Sequence, residues 1–379
     1  MIDVIIPVYK GLPQTRRCIE SVLASRQAAS FEIVAVDDAS PEAGIRSYLD
    51  ELAAAKRIVL VRNERNLGFV QSVNRGMSLH SDRDVVLLNS DTEVANDWLD
   101  RLLKSAYAYP DVGTVTPFSN NATICSYPFE GWTGGVPGTL ALADLDRLFA
   151  STNAGRTVDL PTAVGFCMLI RRACLAQVGA FDAERFGRGY GEENDFCMRA
   201  AGAGWRNVLA GDVFVYHEGA VSFSGERLEL TTNAGKTLMD LYPDYMRKVN
   251  EFVRHDPPGT LRAAVDNARI SLRAEELRHV LAERIEERML FKARLVEAEV
   301  YADEREPLIA KLRKGLALAE TLLAERDAEI ERLRAGLAHA ETLAFDRARE
   351  LAELQKSWAW KFHGFLSRRK ASRAPHPPT

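Results

Sequence analysis

Nowhere in the 379 residues is there a run of about 18 apolar side chains, so the sequence predicts no membrane-spanning helix. The opening Met-Ile-Asp-Val-Ile-Ile-Pro lacks the charged leader and small-residue cleavage site of a secretory signal. Cysteine is sparse. Cys18, Cys125, Cys167, Cys174 and Cys197 are odd in number, scattered and without a CxxC pair. That pattern excludes a disulfide framework and a thiolate zinc site, and it fits a reducing, cytoplasmic setting. Charge of one sign is missing too: 49 Lys and Arg against 53 Asp and Glu leave a formal net charge of −4, which offers no basic field to nucleic acid. The 25 glycines form no G-x-G-x-x-G, so a dinucleotide fingerprint is not expected.

What is present is alternation. Val4 to Ile6, Phe31 to Val36, Ile58 to Val61 and Asp84 to Leu88 read as short strands buried on both faces, separated by segments with helical spacing. Strand and helix in turn imply a parallel, doubly wound α/β sheet, whose ligands bind at the carboxyl ends of the strands. Polar residues cluster at those ends: Asp37 and Asp38 after the second strand, and Asn89, Ser90 and Asp91 after the fourth. Taken alone, each cluster equally suits the cap of a following helix. Residues 111 to 159, punctuated by proline and glycine, read as a long loop region over the cleft. Further on, Gly187-Arg188-Gly189-Tyr190-Gly191 runs into Glu192, Glu193 and Asp195 at the first turn of a predicted helix, where the dipole favours acids. Val208 to Tyr216 is a further strand that delivers His217 at its end.

Asp256-Pro257-Pro258-Gly259 marks a predicted boundary, giving an α/β domain over 1–255, a helical region over 256–355 and a basic, aromatic tail, partly disordered, over 356–379. Leu312, Leu316, Ala319, Leu323, Ile330, Leu333, Leu337, Ala340, Ala344, Leu351 and Leu354 follow heptad steps and predict a coiled coil. Such a seam implies a homo-oligomer, a partner enzyme or a folded-back hairpin. In the tail, Trp358, Phe362, Phe365 and Leu366 share a helical face ringed by Lys and Arg. That suits peripheral contact with the inner face of an anionic cytoplasmic membrane, or else an apolar end to the coiled coil.

In order, Ile-Ile-Pro-Val-Tyr, Val-Asp-Asp-Ala-Ser, Asn-Leu-Gly-Phe, Leu-Asn-Ser-Asp, Gly-Tyr-Gly-Glu-Glu-Asn-Asp-Phe and Val-Tyr-His-Glu-Gly resemble the motifs of a family 2 glycosyltransferase of the GT-A fold over residues 1 to 250. Within that family they are similar to bacterial O-antigen and rhamnosyltransferase-like members. The resemblance implies a GT-A sheet followed by an α-helical coiled coil. It also implies an inverting transfer from a nucleotide diphosphate sugar, with a UDP or dTDP donor, to a glycan or lipid-linked glycan. Pro7, Val8, Tyr9, Asp37, Asp38, Asn66, Gly68, Asn89 and Ser90 would bind the donor. Asp91 and His217 would hold Mg²⁺ or Mn²⁺, and Glu193, flanked by Glu192 and Asp195, would be the base. Asn89 stands where the family usually places the first Asp of its metal motif. That departure leaves one rival from another class, a non-catalytic scaffold that binds nucleotide sugar or glycan while its coiled coil assembles other enzymes. The absence of Gln-x-x-Arg-Trp and of membrane spans sets the chain apart from processive synthases.

Overall fold

The computed structural model describes residues 1–219, 227–272 and 276–300, and helical residues scattered between 314 and 356; the side chains of 227–229 and 295–300 are not described. The chain divides into two units, Met1–Lys292 and Ala293–Thr379. In the first, β1 (Ile2–Val8), α1 (Leu12–Ala24), β2 (Phe31–Asp37), α2 (Ala43–Ala54), β3 (Val59–Arg62), α3 (Phe69–Met77) and β4 (Asp84–Leu88) alternate as the sequence predicts. Next come β5 (Thr92–Glu93), α4 (Trp98–Ala106), β6 (Val112–Ser119), α5 (Leu142–Thr152), β7 (Thr157–Leu160), β8 (Cys167–Ile170), α6 (Arg172–Val178), α7 (Ala183–Phe186), α8 (Glu192–Gly202) and β9 (Arg206–His217). Four helices end the described part of the sequence before residue 301: α9 (Arg227–Leu241), α10 (Tyr245–His255), α11 (Gly259–Leu272) and α12 (Glu276–Val300).

Among the described residues the strands form one sheet in the order β3-β2-β1-β4-β8-β6-β9-β5, with β7 also pairing with β9. Strands β3, β2, β1 and β4 are mutually parallel, as are β6 and β9, and β8 runs antiparallel between the two groups. The sheet is therefore mixed α/β with mostly parallel strands. The chain steps outward from β1 in both directions, which opens a crevice at the carboxyl ends of β1 and β4. Uninterrupted apolar runs make these strands because both faces are covered. Val4, Ile6 and Val8 point into a core shared with Cys18, Ile19, Leu49, Trp98 and Leu102, whereas Ile5 points into a second core with Val70, Val73, Cys174 and Phe196. Helix α1 begins at Gly11, in left-handed conformation, and takes its cap from elsewhere: the Glu42 carboxylate accepts from the Gly11 and Leu12 amides at 2.9 and 3.2 Å.

Two expectations change. Residues 111 to 159 are not a continuous loop, because they contain β6, α5 and β7, and all eight residues of β6 are buried. Pro117 disguised this strand. It sits at a register shift between β6 and β9, where a missing amide is tolerated. At the predicted boundary after residue 255, the prolines turn the chain without ending the unit. Leu261 and Val265 of α11 enter the same core as the sheet, and Arg269 is fully buried. In the second unit the described residues are helical. Of the heptad positions, Leu312, Ala319, Leu323, Ala340, Ala344, Leu351 and Leu354 lie outside the described residues, as do Trp358, Phe362, Phe365 and Leu366 of the tail.

Cutting the chain after residue 258 should therefore be costly. Loss of Leu261 and Val265 alone forfeits roughly 1.5–3 kcal/mol each of burial. A chain ending at residue 258 is expected to melt several degrees below one ending at residue 292. Calorimetry giving equal midpoints for the two would show that α11 and α12 add nothing to the unit.

Candidate active site

The carboxyl end of β2 supplies Asp37 and Asp38, both almost fully buried, and the structure separates their jobs. Asp37 accepts from the Ser40 amide at 2.8 Å and from Arg62 Nε at 3.2 Å, and so braces the turn into α2. Asp38 faces the other way. Its Oδ1 accepts from Asn63 Nδ2 at 2.8 Å and the Leu67 amide at 2.7 Å, and its Oδ2 accepts from the Gly68 amide at 2.9 Å. One carboxylate thus gathers the β3–α3 loop, and a pocket forms there, lined by Pro7, Val8, Tyr9, Asp38, Asn66, Gly68, Phe69, Ser72 and Arg188.

Six of the predicted donor residues meet in this pocket; Asp37, Asn89 and Ser90 do not line it. Asn66 accepts from the Gly68 amide at 3.1 Å. Gly68 has φ +86, and a Cβ there would stand 2.8 Å from Arg188 Cα, so only glycine fits. Arg188 was missed as a site residue. It belongs to the glycine-rich loop that precedes α8, and its carbonyl accepts from the Phe69 amide at the start of α3 at 3.1 Å. Asn89 and Ser90 form the turn between β4 and β5, where the Asn89 carbonyl accepts from the Thr92 amide at 3.2 Å.

Asp91 and His217 do come together. Thr92 pairs with His217 across β5 and β9, which brings His217 Nε2 within 3.5 Å of Asp91 Oδ1. The other ring nitrogen, Nδ1, lies 2.7 Å from the Asn121 carbonyl, which can only accept, so Nδ1 carries a proton, and in the neutral ring Nε2 turns its lone pair toward the carboxylate. Two acceptors facing each other leave a place for a cation, and a ring N–H held by a carbonyl is the usual second contact of a metal-ligating histidine. Asp91 Oδ2 accepts from the Gly219 amide at 3.1 Å, and Phe166 stacks on the His217 ring with centroids 5.2 Å apart. The residues present fit an oxygen-preferring divalent ion with open positions for a ligand's oxygens. Among the described residues another cluster, Asp3, Glu32 and His80, lies at the amino ends of β1 and β2, away from this edge. Arg83 bridges Asp3 and Glu32 at 3.0 and 2.9 Å, which marks it as an ion-pair network.

Helix α8 opens on Gly191 and places three acids in its first turn. Asp195 is committed: Arg199 donates to it at 2.8 Å and the Tyr242 hydroxyl at 2.6 Å, which ties α8 to the helices that follow β9. Glu192 and Glu193 are different. An Oε2 of each is buried without a hydrogen-bond partner. Burial pushes the Glu192 carboxyl well above its ordinary range, with the charge of Glu193 adding to it, and burial likewise raises Glu193. A charge on Glu193 therefore makes a second charge on Glu192 more costly. Glu193 reaches the cleft beside Gly165, whose neighbour Phe166 underlies His217.

Residues 3–179 match the model of the family described as Glycosyl transferase family 2. That match spans a little under half of the chain and falls on the mostly parallel α/β sheet. Among curated relatives, it is 25% identical over 232 residues to the uncharacterized protein y4gI of Sinorhizobium fredii, covering 59% of this chain but only 25% of that protein. It is also 25% identical over 252 residues to the N-acetylglucosaminyl-diphospho-decaprenol L-rhamnosyltransferase of Mycobacterium tuberculosis, covering 59% of this chain and 77% of that enzyme. A solved mannosyltransferase from Pyrobaculum calidifontis, in complex with GDP-Man and Mn²⁺, superposes with a TM-score of 0.48 at 15% identity, over 85% of this chain and 86% of that one.

The raised Glu192 carboxyl has a consequence for stability. A group that holds its proton more tightly folded than unfolded contributes fully below its ordinary value of 4.5, and that contribution is lost as pH rises through the raised value. Glu192→Gln removes the titration and keeps the shape. The difference in melting temperature between pH 5 and pH 8 is expected to be smaller in the variant than in the wild type. Equal differences would place the Glu192 carboxyl in its ordinary range.

Proposed function

We propose that this chain is an inverting, divalent-metal-dependent glycosyltransferase that moves a sugar from a UDP or dTDP sugar to a glycan acceptor carried on a lipid, in bacterial surface polysaccharide synthesis. The observation that carries this reading is the convergence, at one edge of the sheet, of the Asp38 pocket, the Asp91–His217 pair and the adjacent Glu192–Glu193 carboxyls, each with an Oε2 that has no hydrogen-bond partner. The name of the mycobacterial relative, which covers most of its own length, supports a diphospholipid acceptor.

In this reading Pro7, Val8, Tyr9, Asp38, Asn66 and Gly68 hold the nucleotide, with Asn89 and Ser90 beside its diphosphate. Arg188 joins them from the α8 loop. Mg²⁺ or Mn²⁺ bound by Asp91 and His217 would supply positive charge against the departing diphosphate. Opposite it, the ionised member of the glutamate pair, assigned to Glu193, takes the proton of the acceptor hydroxyl as that oxygen attacks the anomeric carbon. A carboxyl raised by burial suits the task, since a base works best when its pKa approaches the working pH. Attack from the face opposite the leaving group inverts the configuration. Glu192 keeps its proton and donates toward Glu193, and Asp195 anchors the helix that carries both.

Homo-oligomerisation through the heptads of residues 312–354, and contact of the tail with an anionic cytoplasmic membrane, belong to the same proposal. A lipid-borne acceptor would be met at such a surface. Among the described residues no helix is long and apolar enough to cross a membrane.

Two measurements test the chemistry. With a panel of UDP-, dTDP- and GDP-sugars, donor binding should require Mg²⁺ or Mn²⁺, and Asp91→Asn should abolish turnover. An enzyme indifferent to EDTA would sink the metal role. Glu193→Gln keeps shape but cannot accept the proton, and should slow turnover about 10²- to 10⁴-fold with donor affinity unchanged. Near-normal turnover in Glu193→Gln, beside an inactive Glu192→Gln that still binds donor, would move the base to Glu192. Binding of nucleotide sugar with no turnover of any donor would favour the scaffold.

A further inference from the structure

His217 is not held by the strand alone. Its main chain is clamped by one side chain, as Asn120 Oδ1 accepts the His217 amide at 2.8 Å and Asn120 Nδ2 donates to the His217 carbonyl at 2.9 Å. The ring is set by Asn121, whose carbonyl accepts from Nδ1. Asn120 and Asn121 in turn begin a segment that folds back on itself: the Tyr127 amide donates to the Ser119 carbonyl at 2.8 Å, Ser126 Oγ accepts from the Ala122 amide at 2.9 Å, and Asn120 Nδ2 also donates to the Gly134 carbonyl at 2.7 Å.

That segment rests on α11 and α12. Arg269, fully buried, donates to the Tyr127 hydroxyl at 2.9 Å, to Glu276 at 3.0 Å and to Glu283 at 2.8 and 2.9 Å. The Tyr127 hydroxyl donates to Asp266 at 2.7 Å, and the far end of the segment is fastened where the Thr139 amide donates to Glu276 at 2.9 Å. Arg284 adds a bond to the Pro128 carbonyl at 3.2 Å. A buried guanidinium with several carboxylates around it holds one geometry, because any departure strands a charge without its partner. Such a lattice lies too far along the sequence from His217 to be explained by the local turn.

We propose that Arg269 is a positioning residue for His217: from beyond the Pro257–Pro258 turn, it fixes the segment 120–139 so that the Asn121 carbonyl selects the Nδ1–H form of the ring and points Nε2 at Asp91. The helices after the prolines are thus part of the site, not an appendage to it. This rests on the proposed metal role of His217, and outer contacts of that kind change metal affinity about 10- to 100-fold.

The test uses the full-length chain with isotope-labelled histidine. Long-range proton–nitrogen correlation, with the signal assigned against His217→Gln, reports the ring tautomer, and titration with Mn²⁺ alone reports metal affinity. In the wild type the Nδ1–H form should dominate. Arg269→Met should populate the Nε2–H form and weaken Mn²⁺ about 10- to 100-fold. If that variant fails to fold, Tyr127→Phe, which removes only the hydroxyl between Arg269 and the segment, should shift both readouts in the same direction. A folded variant with the wild-type tautomer and wild-type Mn²⁺ affinity overturns the proposal. A shifted tautomer in a protein whose wild type binds no Mn²⁺ would keep Arg269 as a positioning residue and remove the metal from His217.

Discussion

The Asp38 carboxylate is the constraint on which the pocket depends. A charge with 5% of its residue exposed is tolerable only when donors surround it, and three converge here, from Asn63, Leu67 and Gly68. Meeting that demand bends the β3–α3 loop over the end of β1 and forces Gly68 into a conformation open to glycine alone. The bend also brings the start of α3 against the loop that carries Arg188, which leads directly into α8. The pocket and the glutamate pair are therefore parts of one hydrogen-bonded arrangement.

Charge is distributed unevenly along the crevice. Near Asp91, Asn89 contributes no charge, so the single carboxylate there faces the His217 ring, whose Nδ1 is held by the Asn121 carbonyl. At the flank, Arg17 pairs with Glu93 at 2.9 Å and also with Glu218, whose Oε1 accepts from Gln14 at 2.9 Å, so the acids next to Asp91 and His217 are already occupied. Glu192 is buried and Glu193 half-buried, with no cation paired to either, so a proton held on Glu192 does the work that a cation does elsewhere.

The first unit also shows why domain limits are hard to place from breaks in the chain. Proline ends a helix locally, but whether a unit ends depends on where the next apolar and charged faces go. Leu261, Val265 and Arg269 return to the sheet, and by doing so they fasten the segment that holds His217.

By itself the sequence determined the alternation of strands and helices, because buried parallel strands need unbroken apolar runs and their polar ends stand out against them. It marked Asp38, Asn66, Gly68, Asp91, Glu193 and His217 at those ends, while the family resemblance set Asp91 beside His217, 126 residues away. Only the tertiary structure decided how these residues divide their work. Asp37 and Asp38 are neighbours with the same chemistry, yet one braces a turn and the other organises a pocket, since adjacent side chains at a strand end point to opposite faces. Asp195 differs from Glu193 through partners distant in sequence, Tyr242 among them. Arg188, Asn120, Asn121 and Arg269 carry no local pattern. Their roles arise from hydrogen bonds across the fold, which depend on distance and direction in space and leave no periodicity along the chain.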